Sequence, residues 1–254
     1  MSNDYPRRFQ EESYAAFTIS VPRLESGKPI PLDDLRDACA EYDKRSVGRM
    51  DYNRWLREFR DLIGIDLECD ESHTLLDLTK REHGKALIRL LNQWGCHIPS
   101  RIPRHHDAML NSLGEWWRSR EEAPLPAPHD RLTDGALDLD TIASRFTSLS
   151  RTPANESRRF SHVASSKTLC FARPHVFVAW DNEIKDTLEY RRGTVDGYVD
   201  YLEGVRGTLL AIKKTYKAPD YDLDKLPGEI GQAGCTAPEV INKFYWVKIH
   251  PKKG

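Results

Sequence analysis

The sequence lacks the features that mark several large classes of protein. Its 254 residues carry a formal net charge of −1, so any contact with nucleic acid must come from a local basic patch. The five cysteines are scattered without a Cys-x-x-Cys spacing, which argues against zinc, iron–sulfur and disulfide frameworks. No apolar run approaches the roughly 20 residues that span a bilayer, and the polar N-terminus lacks the apolar region of a secretory signal. We therefore expect a cytoplasmic protein without membrane contact.

Further absent features narrow the range of reactions that we expect of this protein. The chain has no internal repeat at a solenoid period and no Gly-x-Ser-x-Gly sequence, so neither a solenoid nor a serine hydrolase is expected. His105 and His106 follow one another, and the adjacent Asp107 does not readily converge with both of them on one ion. We therefore predict no metal site and no cofactor, and nothing indicates an obligatory protein partner.

Helical patterns dominate what the sequence does contain. Residues 51–63 carry one apolar stripe at helical spacing, and residues 74–94 form the longest candidate helix, which Gly95 should end. Further helices are predicted from Pro31, around residues 109–117, over 137–149, 165–173 and 195–216, and from Asp181. Residues 14–24 and 243–249 alternate weakly and are predicted as short strands. The expected fold is all-α or nearly so.

The proline-rich stretch at residues 121–130 is typical of a surface linker. It divides the chain into a predicted N-terminal helical lobe, residues 1–125, and a predicted catalytic lobe, residues 126–254. We expect a cleft between them, although the two lobes can also interleave as one compact domain.

The most informative segment runs from residue 158 to residue 188. It predicts a helix rich in small residues, a bend at Pro174, a short apolar extended run over 176–180, and then Asp181 at the start of a helix. Aspartate is a good N-cap because its side chain accepts a hydrogen bond from an amide in the first turn. Taken alone, this structural role is the simplest interpretation of Asp181.

The pattern around Asp181 resembles the helix-hairpin-helix (HhH-GPD) DNA glycosylase superfamily, which includes adenine glycosylase, endonuclease III and 8-oxoguanine glycosylase. Phe171-Ala172 precede Asp181 at the spacing of the adenine glycosylase branch, and residues 181–185, Asp-Asn-Glu-Ile-Lys, are similar to its Asp-Gly-Asn-Val-Lys. Ser166-Lys167 match the polar, phosphate-facing end of its helix. The resemblance implies a two-lobed helical fold, double-stranded DNA as partner and Asp181 as the catalytic carboxylate.

Two departures refine what the resemblance implies. Arg159, Phe160 and Ser161 stand where the hairpin of the family has Gly-Val-Gly. His162 stands where the bifunctional members carry a nucleophilic lysine. The iron–sulfur cysteines of some branches are also missing. The resemblance therefore implies a monofunctional enzyme that releases a base, leaves an abasic site and has no lyase activity.

The chemistry of base release suits a carboxylate, because cleavage of the N-glycosidic bond builds positive charge on the sugar. The base must first be flipped out of the duplex, which needs phosphate anchors and a pocket. Basic residues outnumber acids between residues 151 and 180. The predicted DNA contacts are Arg158, Arg159, Ser165, Ser166, Lys167 and Lys185, helped by helix-opening amides at residues 164–166. The predicted substrate contacts are Trp180, Asn182, Trp117 and His162.

The identity of the base is a separate question. The missing hairpin glycines and cluster make the chain similar to divergent, stand-alone bacterial members, some of which resemble antiphage enzymes acting on hypermodified cytosine. Glucosylated hydroxymethylcytosine in phage DNA is therefore a candidate substrate. Polar residues of the 98–107 turn and the 121–135 linker are the candidate lining of a pocket large enough for a sugar.

Two rival interpretations stay open at this point. Glu183-Ile184-Lys185 reads as the Glu-x-Lys of a P-D…(D/E)-x-K nuclease, but that fold needs the motif on a strand and a metal-binding aspartate shortly before it, and residues 151–173 contain none. The other rival is a helical DNA-binding or partner-binding module in which Asp181 only caps a helix.

Overall fold

The computed structural model describes residues 27–46, 52–63, 76–98, 103–119, 125–155, 158–187 and 195–250. Within these ranges the chain forms helices and turns without a strand, which confirms the predicted all-α class. The helices are α1 (Leu32–Arg45), α2 (Tyr52–Ile63), α3 (Arg81–Gln93), α4 (Pro103–Arg118), α5 (Leu139–Arg151), α6 (His162–Ala172), α7 (Asn182–Thr187), α8 (Val195–Tyr216), α9 (Leu226–Glu229) and α10 (Ala237–Ile249). A 3₁₀ turn, Leu223–Lys225, precedes α9.

The predicted start of the longest candidate helix is wrong. The long helix begins at Arg81 rather than at residue 74, because Asp77 Oδ1 accepts hydrogen bonds from the Thr79 amide at 3.0 Å and from its hydroxyl at 2.7 Å. Such a local bond offers the backbone an alternative to the helix. At the other end of this helix the predicted stop is confirmed, since Gly95 adopts a φ of +77° that favours glycine.

The predicted strand at residues 243–249 is also wrong, because this stretch belongs to α10. A capping box starts that helix: Thr236 Oγ1 accepts from the Glu239 amide at 3.4 Å, and the Glu239 carboxylate accepts from the Thr236 amide at 2.8 Å. Capping fixes the helix start, and the helix then continues through the alternating stretch. The other predicted strand, residues 14–24, lies outside the described residues.

Helices from both sides of residue 125 share one hydrophobic core. The N-terminal α1 packs along the C-terminal α10, α3 contacts α6, and α5 packs against both α6 and α8. At its centre Tyr198 of α8 stacks between Phe146 and Trp180, with ring centroids 4.3 and 5.3 Å away. The predicted division into two lobes stays a prediction.

The α5–α6 connection folds back on itself before α6 begins. The Phe160 amide donates to the Thr152 carbonyl at 3.0 Å and the Ala154 amide donates to the Arg158 carbonyl at 2.8 Å, so Pro153 and Arg159 form an isolated antiparallel bridge. The connection therefore delivers α6 beside α5 and leaves Arg158 and Arg159 exposed on its outer side.

None of the helices in the described ranges combines the length and the apolar character that a membrane span requires.

Candidate active site

Asp181 sits where a buried extended segment ends and α7 begins. The side chains of residues 176–180 are buried in the core. Two hydrogen bonds hold this segment in place: the Trp180 amide donates to Ser166 Oγ of α6 at 3.1 Å, and the Tyr198 hydroxyl of α8 donates to the Val178 carbonyl at 3.0 Å. The contacts with α6 and α8 therefore fix the position at which the chain emerges from the core at Asp181.

The Asp181 carboxylate caps α7 with one oxygen. Its Oδ1 accepts the Ile184 amide at 2.7 Å, as the N-cap interpretation predicts. Asp181 is half-buried, and burial raises the pKa of its carboxyl above the ordinary range, although the Ile184 amide and the nearby His250 and Lys167 lower it. With Oδ1 bound to the Ile184 amide, Oδ2 is the oxygen left for a further partner.

The structure brings two further ligand-type side chains to Asp181. Glu183 of α7 and His250, at the C-terminal end of α10, place carboxylate and imidazole atoms so that all three groups lie within 4.8 Å of one another. His250 Nε2 lies 3.9 Å from a Glu183 oxygen. No sequence pattern indicates this cluster, and the sequence predicted no metal site. His250 lies far from Asp181 in the sequence, and only the packing of α10 against α7 brings the two together.

The predicted phosphate-binding role of Lys167 is wrong. Its side chain is buried in the interior, and its Nζ donates to the Trp94 carbonyl at 2.8 Å and lies 4.2 Å from the centre of the Trp94 ring. Burial lowers the pKa of this lysine, partly opposed by Cys96 and the carboxylates of Asp181 and Glu183. Lys167 therefore ties α6 to the C-terminal end of α3 and does not face solvent.

The predicted phosphate contacts of Ser165 and Ser166 are wrong as well. Both side chains are fully buried, and Ser166 is used to hold Trp180. The helix begins at His162, earlier than predicted, and Ser161 caps it: Ser161 Oγ accepts from the Ala164 amide at 3.1 Å and its carbonyl accepts from the Ser165 amide at 2.8 Å. The amides expected to bind phosphate are thus satisfied within the helix.

The two tryptophans predicted as pocket walls lie in the core. Trp180 is 0% exposed and stacks on Tyr198, while Trp117 is 2% exposed beside Trp116. Neither ring can stack on a flipped base without unpacking the core, so these two predicted substrate contacts are corrected. An apolar run is the usual surrounding of a buried tryptophan, and that simpler interpretation applies.

The other predicted contacts stay accessible. Arg158, Arg159 and Asn182 are exposed, and His162 and Lys185 are half-buried. Burial lowers the pKa of His162, and the charge of Lys185 lowers it further. Lys185 Nζ lies 5.8 Å from the centre of the Trp180 ring, so this ammonium borders the segment that ends at Asp181.

A cavity of about 310 Å³ lies away from Asp181. It is lined by residues of one stretch, 125–141, among them the acids Asp130, Asp134 and Asp138. The described part of the predicted 121–135 lining, from residue 125 on, thus borders a cavity of its own, and the acidic side chains there are poorly suited to a phosphate. Residues 99–102 of the other predicted lining lie outside the described part of the chain.

Glu183 and Lys185 lie on the helix α7, and the described ranges contain no strand. This does not fit a P-D…(D/E)-x-K nuclease, which needs the Glu-x-Lys on a strand.

Comparisons with protein-family models, with curated proteins and with solved structures found no match to this chain.

Proposed function

We propose that the chain is a monofunctional DNA N-glycosylase with Asp181 as its catalytic carboxylate. The observation that carries the proposal is the geometry of Asp181: half-buried at the end of a fixed segment, with one oxygen held by the Ile184 amide and the other available. A carboxylate that is already held in this way needs little reorganisation when positive charge develops beside it, so little free energy is lost in the transition state.

Asp181 acts on the transition state of base release. As the bond between base and sugar breaks, the sugar gains oxocarbenium character, and the carboxylate stabilises it and orients the attacking water. Partial burial strengthens this interaction, because fewer water molecules screen the charges. The base leaves and an abasic site remains.

The proposed DNA contacts come from the exposed basic residues that precede α6 and from α7. Arg158 and Arg159 project from the folded-back connection, and Lys185 of α7 lies close enough to His162, at the start of α6, for its charge to lower the pKa of that histidine. These charges are suited to phosphates on either side of a flipped nucleotide. We propose a modified base as the substrate, with glucosylated hydroxymethylcytosine of phage DNA as the first to test.

The absence of lyase activity is part of the proposal. A lyase needs an accessible lysine amine to attack the sugar carbon. His162 occupies the position that the nucleophilic lysine has in bifunctional members of the family that the sequence resembles, and Lys167 is buried against Trp94.

The test is base release by the purified chain and by its Asp181→Asn variant. Asparagine keeps an oxygen for the Ile184 amide but lacks the charge, so the variant should fold and lose activity. Asp186→Asn is the matched control, because it removes one exposed carboxylate from the same helix. The substrates are duplexes with common lesions and phage DNA with modified cytosine.

Alkali-dependent strand breaks made by the wild type and by Asp186→Asn, but not by Asp181→Asn, are the expected result. Breaks that appear without alkali would point to a lyase or nuclease instead. Absence of product from every DNA, with DNA binding equal in all three proteins, would leave a binding module in which Asp181 only caps α7.

A further inference from the structure

We propose that Asp181, Glu183 and His250 form a binding site for one first-row divalent transition-metal cation. Their candidate ligand atoms, one from each side chain, all lie within 4.8 Å of one another. Metal–ligand bonds of about 2.0–2.2 Å place neighbouring ligand atoms roughly 3–4 Å apart, so a small closure completes the site. Glu183 can supply it, because its side chain is 64% exposed and free to change rotamer.

The orientation of His250 supports a metal ligand. Its Nδ1 lies 2.8 Å from the Trp246 carbonyl, and since a carbonyl oxygen only accepts, Nδ1 carries the hydrogen. The neutral ring then has its lone pair on Nε2, the nitrogen that faces Glu183 at 3.9 Å. Metal-binding histidines commonly donate a hydrogen bond from the N–H of their other ring nitrogen to such a carbonyl, and this bond fixes the tautomer.

The His250 ring is also fixed in place. It stacks on Trp246 with centroids 4.4 Å apart and an interplanar angle of 22°. The His250 carbonyl accepts from Arg45 of α1, and Arg45 is itself bound to Glu41 at 2.7 Å. A ligand that is already ordered loses little conformational entropy when the ion binds.

The charges around the site suit a cation. Two carboxylates match the charge of a divalent ion, and the C-terminal end of α10 adds the negative end of a helix dipole. The buried ammonium of Lys167, whose charge acts on Asp181, donates to the Trp94 carbonyl at 2.8 Å. One imidazole with two carboxylates favours a first-row transition ion over calcium or magnesium, and three protein ligands leave positions open for water.

The site rests on the three side chains and not on glycosylase activity, so its test uses no DNA. Mn²⁺ is the probe, because thiols bind it weakly and the cysteines then do not compete. Titration of the full chain with Mn²⁺, followed by the loss of the electron paramagnetic resonance signal of the free ion, gives the affinity and the stoichiometry.

We expect one Mn²⁺ per chain and a loss of affinity of about tenfold or more in Glu183→Gln and in His250→Asn. Asparagine keeps a donor for the Trp246 carbonyl but lacks the Nε2 ligand. Asp186→Asn, on the same helix, should bind as the wild type does. No uptake of Mn²⁺, or uptake that neither variant weakens, overturns the proposal. If His250→Asn does not fold, Glu183→Gln alone decides, because that side chain is exposed and its replacement leaves the core intact.

Discussion

Ser166 and Trp180 are joined by a hydrogen bond that determines where Asp181 leaves the core. The Trp180 amide donates to Ser166 Oγ at 3.1 Å, and the Ser166 hydroxyl lies 2.9 Å from the Val163 carbonyl and 3.3 Å from the Trp180 carbonyl. A buried extended segment without a neighbouring strand must satisfy its amides by other means. Here a serine of α6 does so, one residue before the candidate catalytic carboxylate.

Replacing Ser166 by alanine should therefore weaken both the fold and the site. The Trp180 amide would be left buried without its acceptor, which costs about 1–3 kcal/mol in the free energy of unfolding. Release of the segment should also move Asp181 and reduce kcat for base release. Urea denaturation and single-turnover assays measure the two effects.

Ser150→Ala is the control for this prediction. The Ser150 hydroxyl donates to the Thr147 carbonyl of the same helix, α5, at 2.8 Å, so its loss should cost less than about 0.5 kcal/mol. Equal stability of the two variants would show that the Ser166 bond does not hold the segment.

Helical periodicity predicted best those helices that local sequence alone can identify. The apolar stripe of residues 51–63 became α2, and residues 195–216 became α8 with the predicted bounds. In both helices one face is apolar along its whole length, so the sequence pattern identifies the helix without knowledge of its tertiary contacts. The start of the predicted helix at residue 74 failed because Asp77 bonds locally, an interaction that periodicity does not register.

The candidate site was only partly predictable, for a physical reason. The position of Asp181 as the first residue before a helix follows from local signals, and the structure has it there. Ser165, Ser166 and Lys167 looked like a polar surface because their side chains are polar, but each is buried by packing of α6 against other helices. His250 gave no signal at all, since its approach to Glu183 depends on how α10 lies against α7.

Arg158 should contribute to DNA affinity through charge alone. Its side chain is exposed on the connection before α6, so Arg158→Gln should leave stability unchanged and weaken binding to all duplexes alike. If Arg158 neutralises one phosphate, the slope of log affinity against log salt falls in magnitude by about 0.9. Fluorescence anisotropy at several salt concentrations measures this slope.

Lys214→Gln is the matched control, because it removes one exposed positive charge from the last turn of α8. An equal effect of both variants on the salt slope would indicate a response to overall charge and not a contact at Arg158.

Lys167 should not form a covalent intermediate with DNA. Its ammonium is only slightly exposed and is bound to the Trp94 carbonyl, so it cannot reach a sugar carbon without unfolding this contact. Incubation with substrate and sodium borohydride, which traps a Schiff base, should yield no cross-linked protein. A cross-link that disappears in Lys167→Gln but persists in Lys185→Gln would contradict the proposed absence of lyase activity.

Asp224 should make the fold sensitive to acid. Its carboxylate accepts from Arg131 Nε at 2.5 Å and lies 3.2 Å from His175 Nδ1, so it joins three separate segments of the chain. Burial raises the pKa of Asp224, but the hydrogen bonds and positive charges of His175 and Arg131 outweigh it, and the net pKa is lowered.

The sign of the effect follows from linkage. An aspartate whose pKa is lower in the folded state than its unfolded value of about 3.9 adds stability above that value, and the stability is lost as the pH falls below it. Asp224→Asn should therefore cost about 1–3 kcal/mol in the free energy of unfolding at pH 7, and the difference from wild type should shrink towards pH 3. Asp220→Asn, at an exposed aspartate before the same turn, should show neither effect. Urea denaturation over this pH range decides, because a difference that is constant with pH would mean that asparagine disturbs the packing and that the charge of Asp224 adds nothing.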